Sequence, residues 1–266
     1  YEHFRCKGSG SAFGSGKDAP YGCFQLLGNL KITYNYPEKI KSESESGYEF
    51  GLNLNNAIAY THFKKNGIKF SREYFVSHDQ DVMIIRINAD KRKSVSFSLD
   101  LSRSERGNVT VKDKALYMEG QLNDGLNTDK GIRYKTKLQI VNKGGKLGFE
   151  KKSLSVKNAD ETLIIISSAT DFEDKNYQSS VDNLLRIALK TPYNKLKENH
   201  IRKYQEKFSR VSLNLGDNAN VNLPTDERLK EFQQNDDPAF AALYFQFGRY
   251  LMISGTRTGS MPLNLQ

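Results

Sequence analysis

Between Leu30 and Thr170 apolar and polar residues alternate in short runs. "NLKITY" sets Leu30, Ile32 and Tyr34 on one side, "YEFGLNL" sets Tyr48, Phe50, Leu52 and Leu54 together, and "VSFSLDL" does the same with Val95, Phe97, Leu99 and Leu101. A period of two at this regularity predicts half-buried strands. The runs "IAYTHF", "IKFSREYFVS", "VMIIRINA", "RYKTKLQIV" and "TLIIISSA" follow, with Asn, Gly, Lys and Asp between them. Many short strands without intervening helices predict a large antiparallel β-sandwich.

After Thr170 the period changes. "YQSSVDNLLRIALK" places Val181, Leu184, Leu185, Ala188 and Leu189 on one helical stripe that Pro192 ends. In "YNKLKENHIRKYQEKFSRV" Tyr193, Leu196, His200, Tyr204 and Phe208 recur every three or four positions, the pattern of an amphipathic helix lying on a larger body. His200 falls on that stripe, where a hydrogen-bonded interface histidine is the expected role. "VSLNLG" then predicts a short strand, and Thr225 with Asp226 and Glu227 a helix start. A last helix opens with Asp237 as cap and Pro238 at its first position, where the missing N–H costs nothing. It carries Phe240, Leu243, Tyr244, Phe247 and Leu251 on one side, while Ala241, Phe245, Met252 and Ile253 spill onto the others. A helix apolar nearly all round belongs inside a large protein, so its packing partners are expected beyond Gln266.

Composition adds limits. With 266 residues, 37% of them hydrophobic and 27% charged, the chain can bury a sizeable core. No apolar run approaches the roughly 20 residues of a membrane span. "YEHFRCKGSG" lacks the charged start and apolar middle of a signal peptide, as a chain already processed would. The net charge of +9 is spread among acids without an Arg-rich block, which fits a Lys-rich solvated surface and not a nucleic-acid partner. Cys6 and Cys23 are compatible with one disulfide or two free thiols, and two cysteines are too few for a structural metal site.

Candidate chemistry is sparse. "GSGSAFGSGKDAP" has glycines and a lysine, but Ser11 stands where a phosphate-binding loop needs its first glycine and Asp18 follows the lysine, so a turn-rich loop is expected. "SREYFVSHDQDV" gathers Glu73, His78, Asp79 and Asp81. On a strand Glu73 shares a face with Phe75 and Ser77, and "HDQD" reads as a polar turn between two strands. "NVT" at Asn108 is a glycosylation acceptor only in a secreted eukaryotic protein. No Ser-His-Asp order, Cys-His pair or HExxH is present, so the residues alone give a sandwich joined to the start of a helical domain, without an activity.

The order of segments adds a resemblance. "YGCFQLLGNLKITY", "AYTHFKKNGIKFSREYFVSHDQDVMIIRINADK", "GIRYKTKLQIV", "HIRKYQEKFSRVSLNLG", "LPTDERLKEF" and "DPAFAALYFQFGRYLMISGTRTGSMPLNLQ" occur in the order of the corresponding blocks of glycoside hydrolase family 95. The chain thus resembles the inverting α-L-fucosidases. Leu26 stands where that family usually has Pro and Asn29 where it has Asp, while Met261 and Leu263 flank Pro262 in place of its commoner residues.

The resemblance implies a mainly β fold: a large antiparallel β-sandwich, a helical linker and the first helices of a truncated (α/α)6 barrel. The expected domains are a sandwich over 1–172, incomplete at its start, a linker over 173–222 and the opening of the catalytic domain over 223–266. It implies removal of terminal α-L-fucose, α-1,2-linked, from a fucosylated oligosaccharide or glycan, without cofactor or metal. Some relatives prefer L-galactose. The family's acid and its water-holding groups follow the end of this chain, so no catalytic residue is assigned and the fragment alone is expected to be inactive. Asn264 and Gln266, in the loop after the last helix, are the expected sugar-binding residues, their amides suited to adjacent hydroxyls. The implied partners are the glycan and the C-terminal part of the same protein, with no nucleic acid and no membrane insertion, in a bacterial periplasmic or extracellular setting. The alternative is a non-catalytic carbohydrate-binding or scaffold sandwich. Such modules commonly present Trp, of which this chain has 0, although its 14 Tyr can serve.

Overall fold

The computed structural model describes residues 26–36, 46–104, 106–122, 131–172, 174–216, 219–232, 234–257 and 263. Its strands are β1 (Asn29–Tyr34), β2 (Ser46–Asn53), β3 (Ile58–Lys65), β4 (Ile68–Val76), β5 (Val82–Ala89), β6 (Val95–Ser102), β7 (Asn108–Lys112), β8 (Ala115–Gln121), β9 (Arg133–Lys143), β10 (Lys146–Phe149), β11 (Ser153–Ala159) and β12 (Glu161–Thr170). Then come α1 (Tyr177–Lys190), α2 (Tyr193–Phe208), a 3-10 turn (Ala219–Asn222), α3 (Thr225–Phe232) and α4 (Pro238–Gly255). The class is mainly β, with a large two-sheet sandwich ahead of the helices.

The strands form an antiparallel four-stranded sheet in the order β1-β6-β11-β10 and an eight-stranded one in the order β2-β3-β4-β5-β12-β9-β8-β7. Hairpin geometry follows local chemistry: Asn66 and Gly67 both take positive φ and join β3 to β4 in a two-residue turn, which suits the twist of the flanking strands. Between the sheets lie Phe97, Leu99, Leu154 and Val156 from the small sheet, facing Ile85, Ile87, Leu116, Met118, Leu138 and Ile164 from the large one.

The large sheet is covered on its other face as well. Val82 and Ile84 of β5, Ile165 of β12, Phe75 and Ile58 pack under Leu185 and Ala188 of α1 and Tyr193 and Leu196 of α2. This explains "VMIIRI" and "TLIII", whose apolar residues run together where the outer strands alternate, because β5 and β12 are buried on both faces. The stripe Tyr193, Leu196, His200, Tyr204 and Phe208 is buried along the whole of α2, as its spacing predicts.

Three expectations change. Strands β7, β8, β10 and β11 are additional to the runs singled out in the sequence, and Tyr48 and Phe50 of β2 are exposed because β2 is an edge strand. Residues 211–216 form no strand. Val211, Leu213 and Leu215 are exposed there, and an unpaired strand has no ladder to hold it. Finally, α4, expected to find its packing partners beyond Gln266, also docks on α2. Tyr250 and Ile253 meet Tyr204 and Phe208 of α2, with Tyr204 and Tyr250 edge to face at 6.4 Å. Arg249 donates to the carbonyls of Val211 (2.8 Å) and Phe208 (2.9 Å), closing backbone groups at the end of α2. Tyr244 (76% exposed), Met252 (60%) and Leu251 (51%) stay outside.

The start of α4 is fixed by charge. Asp237 caps it, accepting from Phe240 N–H at 2.9 Å, and receives Arg228 of α3 in a two-pronged, buried pair at 2.6 and 2.8 Å. The guanidinium holds the Asp237 carboxyl below the usual carboxylate range. Arg228 also lies 5.2 Å from the Phe240 ring, so a single side chain ties α3 to the first turn of α4.

Two outcomes follow. Ending the chain near Gly216 should raise soluble yield, because it removes Tyr244, Phe245, Leu251 and Met252 while keeping the sandwich with α1 and α2. Equal solubility of the two forms in a sedimentation assay would show that this face is harmless. The second concerns His78, whose pKa is pushed down to about 4 by burial and then by the nearby positive charges of Arg257 and Lys207. The unfolded chain binds that proton near pH 6.5, so the His78 contribution to stability should fall as pH drops from 6.5 to about 4 and change no further below that. His78→Gln should flatten that slope in a plot of Tm against pH, and an unaltered slope would contradict the assignment.

Candidate functional site

Chemistry-bearing side chains of the helices meet the large sheet at several places, two of them on α2. The first lies under the start of α2. On the helix-facing side of the sheet Glu73 of β4, Arg86 of β5 and Glu161 of β12 form a row. Arg86 donates to Glu161 at 2.6 Å, and its other terminal nitrogen lies 3.5 Å from Glu73. Tyr193 donates to Glu73 at 2.5 Å and Lys197 donates to its second oxygen. Burial works against the Glu73 carboxylate, but the bonds from Lys197 and Tyr193 outweigh it and hold the pKa below the ordinary value. A general acid needs the opposite shift, toward the working pH. Glu73 is therefore an anchor for α2 and not a proton donor. The sequence predicts the turn that follows Glu73 but not this cluster, whose members are 120 and 124 residues away along the chain.

The second place is the turn between β4 and β5, which reaches α2 and the end of α4. Ser77 is buried, and its hydroxyl accepts from the backbone of Asp79 (3.3 Å) and Gln80 (3.2 Å). Asp81 takes φ of 51°, a left-handed conformation that Asp tolerates. His200 is the interface histidine its position predicts. Its Nδ1 accepts from His78 N–H at 3.4 Å and its Nε2 lies 2.9 Å from the Asn56 carbonyl, so the ring donates through Nε2 and is neutral. Burial lowers its pKa, in keeping with that state. Phe75 stacks on one side of the ring, with centroids 4.8 Å apart, and Asn199 donates to Asp79 at 3.2 Å.

Arg257, two residues past α4, closes the arrangement. It donates to the Ser77 carbonyl at 3.3 Å and pairs with Asp81. Gly255 ends α4 where Leu263 folds back, and a Cβ there would collide with the Leu263 side chain. The β4–β5 turn thus holds Arg257, just past the end of α4. The predicted sugar-binding residues Asn264 and Gln266, like Cys6 and Cys23, lie outside the described residues. Among the described residues no group of His, Cys, Asp and Glu is placed to hold a metal, and no helix is long and apolar enough to cross a membrane.

Comparison with known proteins gives this arrangement its context. Residues 7–175 match the glycosyl hydrolase family 65, N-terminal domain, and residues 192–266 the glycosyl hydrolase family 95 catalytic domain. "Alpha-L-fucosidase 2" of Arabidopsis thaliana is 28% identical over 281 residues, covering 93% of this chain and 33% of that protein. "Probable alpha-fucosidase A" of Aspergillus niger is 28% identical over 266 residues, covering 92% of this chain and 32% of its own. The chain spans about a third of the length of these relatives. Among solved structures, "Putative kojibiose phosphorylase from human microbiome" superposes with a TM-score of 0.55 at 11% identity over 85% of this chain and 31% of its own, a likeness of fold. The chain belongs to the family whose model matches most of it, that of the glycosyl hydrolase family 65 N-terminal domain, and its part from α2 to α4 is similar to the family 95 catalytic domain.

Proposed function

We propose that this chain is the N-terminal portion of a glycoside hydrolase that removes terminal α-L-fucose, α-1,2-linked, from glycans with inversion of configuration. The observation that carries this reading is the match of residues 192–266 to the family 95 catalytic domain, joined to relatives that bear fucosidase names. The exposed side of α4 supports the same reading, since Tyr244, Leu251 and Met252 are suited to pack against further helices of a barrel. The protein acts outside the cytoplasm, in a bacterial periplasm or extracellularly, where fucosylated glycans occur.

Inversion needs two carboxyl groups on opposite faces of the sugar ring, about 6.5–9.5 Å apart so that a water fits between sugar and base. One protonates the leaving oxygen while the other takes a proton from the attacking water. Glu73 and Glu161 share one side of the sheet and are neutralised by Arg86, so they do not meet this requirement. In this reading the acid and base belong to residues after Gln266. This chain contributes the sandwich, α2 to α4 and the loop leaving α4, in which Asn264 and Gln266 bond sugar hydroxyls and Pro262 limits backbone freedom.

Purified residues 1–266 should release no fucose from 2'-fucosyllactose above a blank, while the longer protein should release it with β-L-fucose as the first-formed anomer in a time course of proton NMR spectra. Release by residues 1–266 would place the chemistry in this chain and overturn the reading. α-L-Fucose as the first product would overturn the inverting mechanism. In the longer protein Asn264→Ala or Gln266→Ala should lower kcat/KM on fucosides more than tenfold, about 1.4 kcal/mol of transition-state binding, at unaltered Tm. Loss of stability and activity together would make the loop a structural element.

A further inference from the structure

We propose that two copies of this chain pair through the outer edge of β2, joining their large sheets into one continuous sheet across a two-fold axis at Gly51. No part of this involves a sugar, so it stands or falls separately from the fucosidase reading.

The four edge strands of the two sheets are not alike. Edges are usually blunted by short length, by Lys or by Pro, because a long open edge invites another strand. β1, β7 and β10 have 6, 5 and 4 residues, and each carries a lysine, Lys31, Lys112 and Lys146. β2 has 8 residues and neither Lys nor Pro. Its bulge lies at the start, between Ser46 and Glu49, so residues 49–53 run in regular register with β3.

The turn between β3 and β4 decides which backbone groups of β2 face outward. Asn66 and Gly67 form a two-residue turn with positive φ, so the flanking pair Lys65 and Ile68 exchanges both backbone hydrogen bonds, and every second pair after it does the same. Phe63, Thr61 and Ala59 thus bond to β4, which turns the backbone of His62, Tyr60 and Ile58 toward β2. Their partners there are Glu49, Gly51 and Asn53. The N–H and C=O groups of Phe50 and Leu52 therefore point away from the sheet, and no strand pairs with that edge among the described residues.

This edge is complementary to itself. The axis that pairs all of residues 49–53 antiparallel passes through their middle, Gly51, and sets Phe50 opposite Leu52 of the other copy and Glu49 opposite its Asn53. Phe50 and Leu52 then exchange both backbone bonds, and no like charges face each other. Phe50 (75% exposed) gains an apolar neighbour, and Tyr48 (58% exposed), whose ring lies 6.2 Å from it, shares the same side. On the other side the Tyr60 ring lies over Gly51, where a Cβ would collide with it, and its hydroxyl donates to Glu49 at 2.9 Å. Two Tyr60 rings thus cover the glycine pair at the axis, where the strands have no side chains of their own.

Sedimentation velocity of the longer protein over a concentration series tests this. The parent should form a concentration-dependent dimer. Phe50→Pro removes a free N–H and no bond of the β2–β3 ladder, and Phe50→Lys keeps the N–H but sets a charge opposite leucine. Each should weaken dimerisation at least tenfold at unaltered Tm, and if the proline lowers Tm, the lysine variant decides. The register has its own readout: Glu49→Cys mixed with Asn53→Cys should give disulfide-linked dimers with oxidised glutathione, well above the level of the parent or of either variant alone. A parent that is monomeric throughout the series overturns the proposal. So does a dimer that persists unweakened in Phe50→Lys, and cross-linking no greater in the mixture than in the single variants overturns the axis at Gly51.

Discussion

Two strands at the centre of the large sheet, β5 and β12, must be dry on both faces, and most of the molecule is arranged to meet that demand. Their residues alternate between two cores, Ile85 and Ile164 toward the small sheet, Ile84 and Ile165 toward α1 and α2. Each large apolar side chain removed from water contributes about 1.5–3 kcal/mol, so leaving the helix side bare would forgo several such contributions in adjacent positions. The helices that follow the sandwich are therefore part of its stability, as well as a connection to what comes next.

Once α1 and α2 lie on the sheet, the polar groups beneath them need partners. Asp182 of α1 receives Lys135 (2.9 Å) and Lys137 (2.7 Å) of β9, and Glu73 receives Tyr193 and Lys197 of α2. These bonds fix the angle at which α2 crosses the sheet and carry Tyr204 to the Leu54 carbonyl at 2.8 Å. That position in turn gives α4 a surface to dock on. The route of contacts from sheet to α2 to α4 and back to the β4–β5 turn through Arg257 is continuous.

Much of this was legible in the sequence, and what was not has a common cause. Period-two runs gave the principal strands, and the stripes of α1 and α2 gave both helices and their buried sides, because the signal for each lies within one turn of chain. His200 was placed correctly at an interface for the same reason. Edge position was invisible: Tyr48 and Phe50 fit a strand pattern, but whether anything covers them depends on sheet order. The docking side of α4 could not be read because the helix is apolar on every side and Arg249, a charged residue, marks the face that packs. Arg257 and Ser77 are 180 residues apart, and nothing local in either segment announces the other. The family resemblance rests on ordered blocks spread along the chain, which is why it was visible where individual contacts were not.

The claim on which the rest depends is that sandwich and helices form one cooperative unit through the second face of β5 and β12. Native-state hydrogen exchange across a denaturant series measures this directly. The amides of Val181–Ala188 in α1 and Leu196–Tyr204 in α2 should open with the same free energy and the same denaturant dependence as those of Ile84–Ile87 in β5 and Leu163–Ile166 in β12. Opening of α1 and α2 several kcal/mol below the strands, with the strands unaffected, would contradict it and reduce the helices to an attachment.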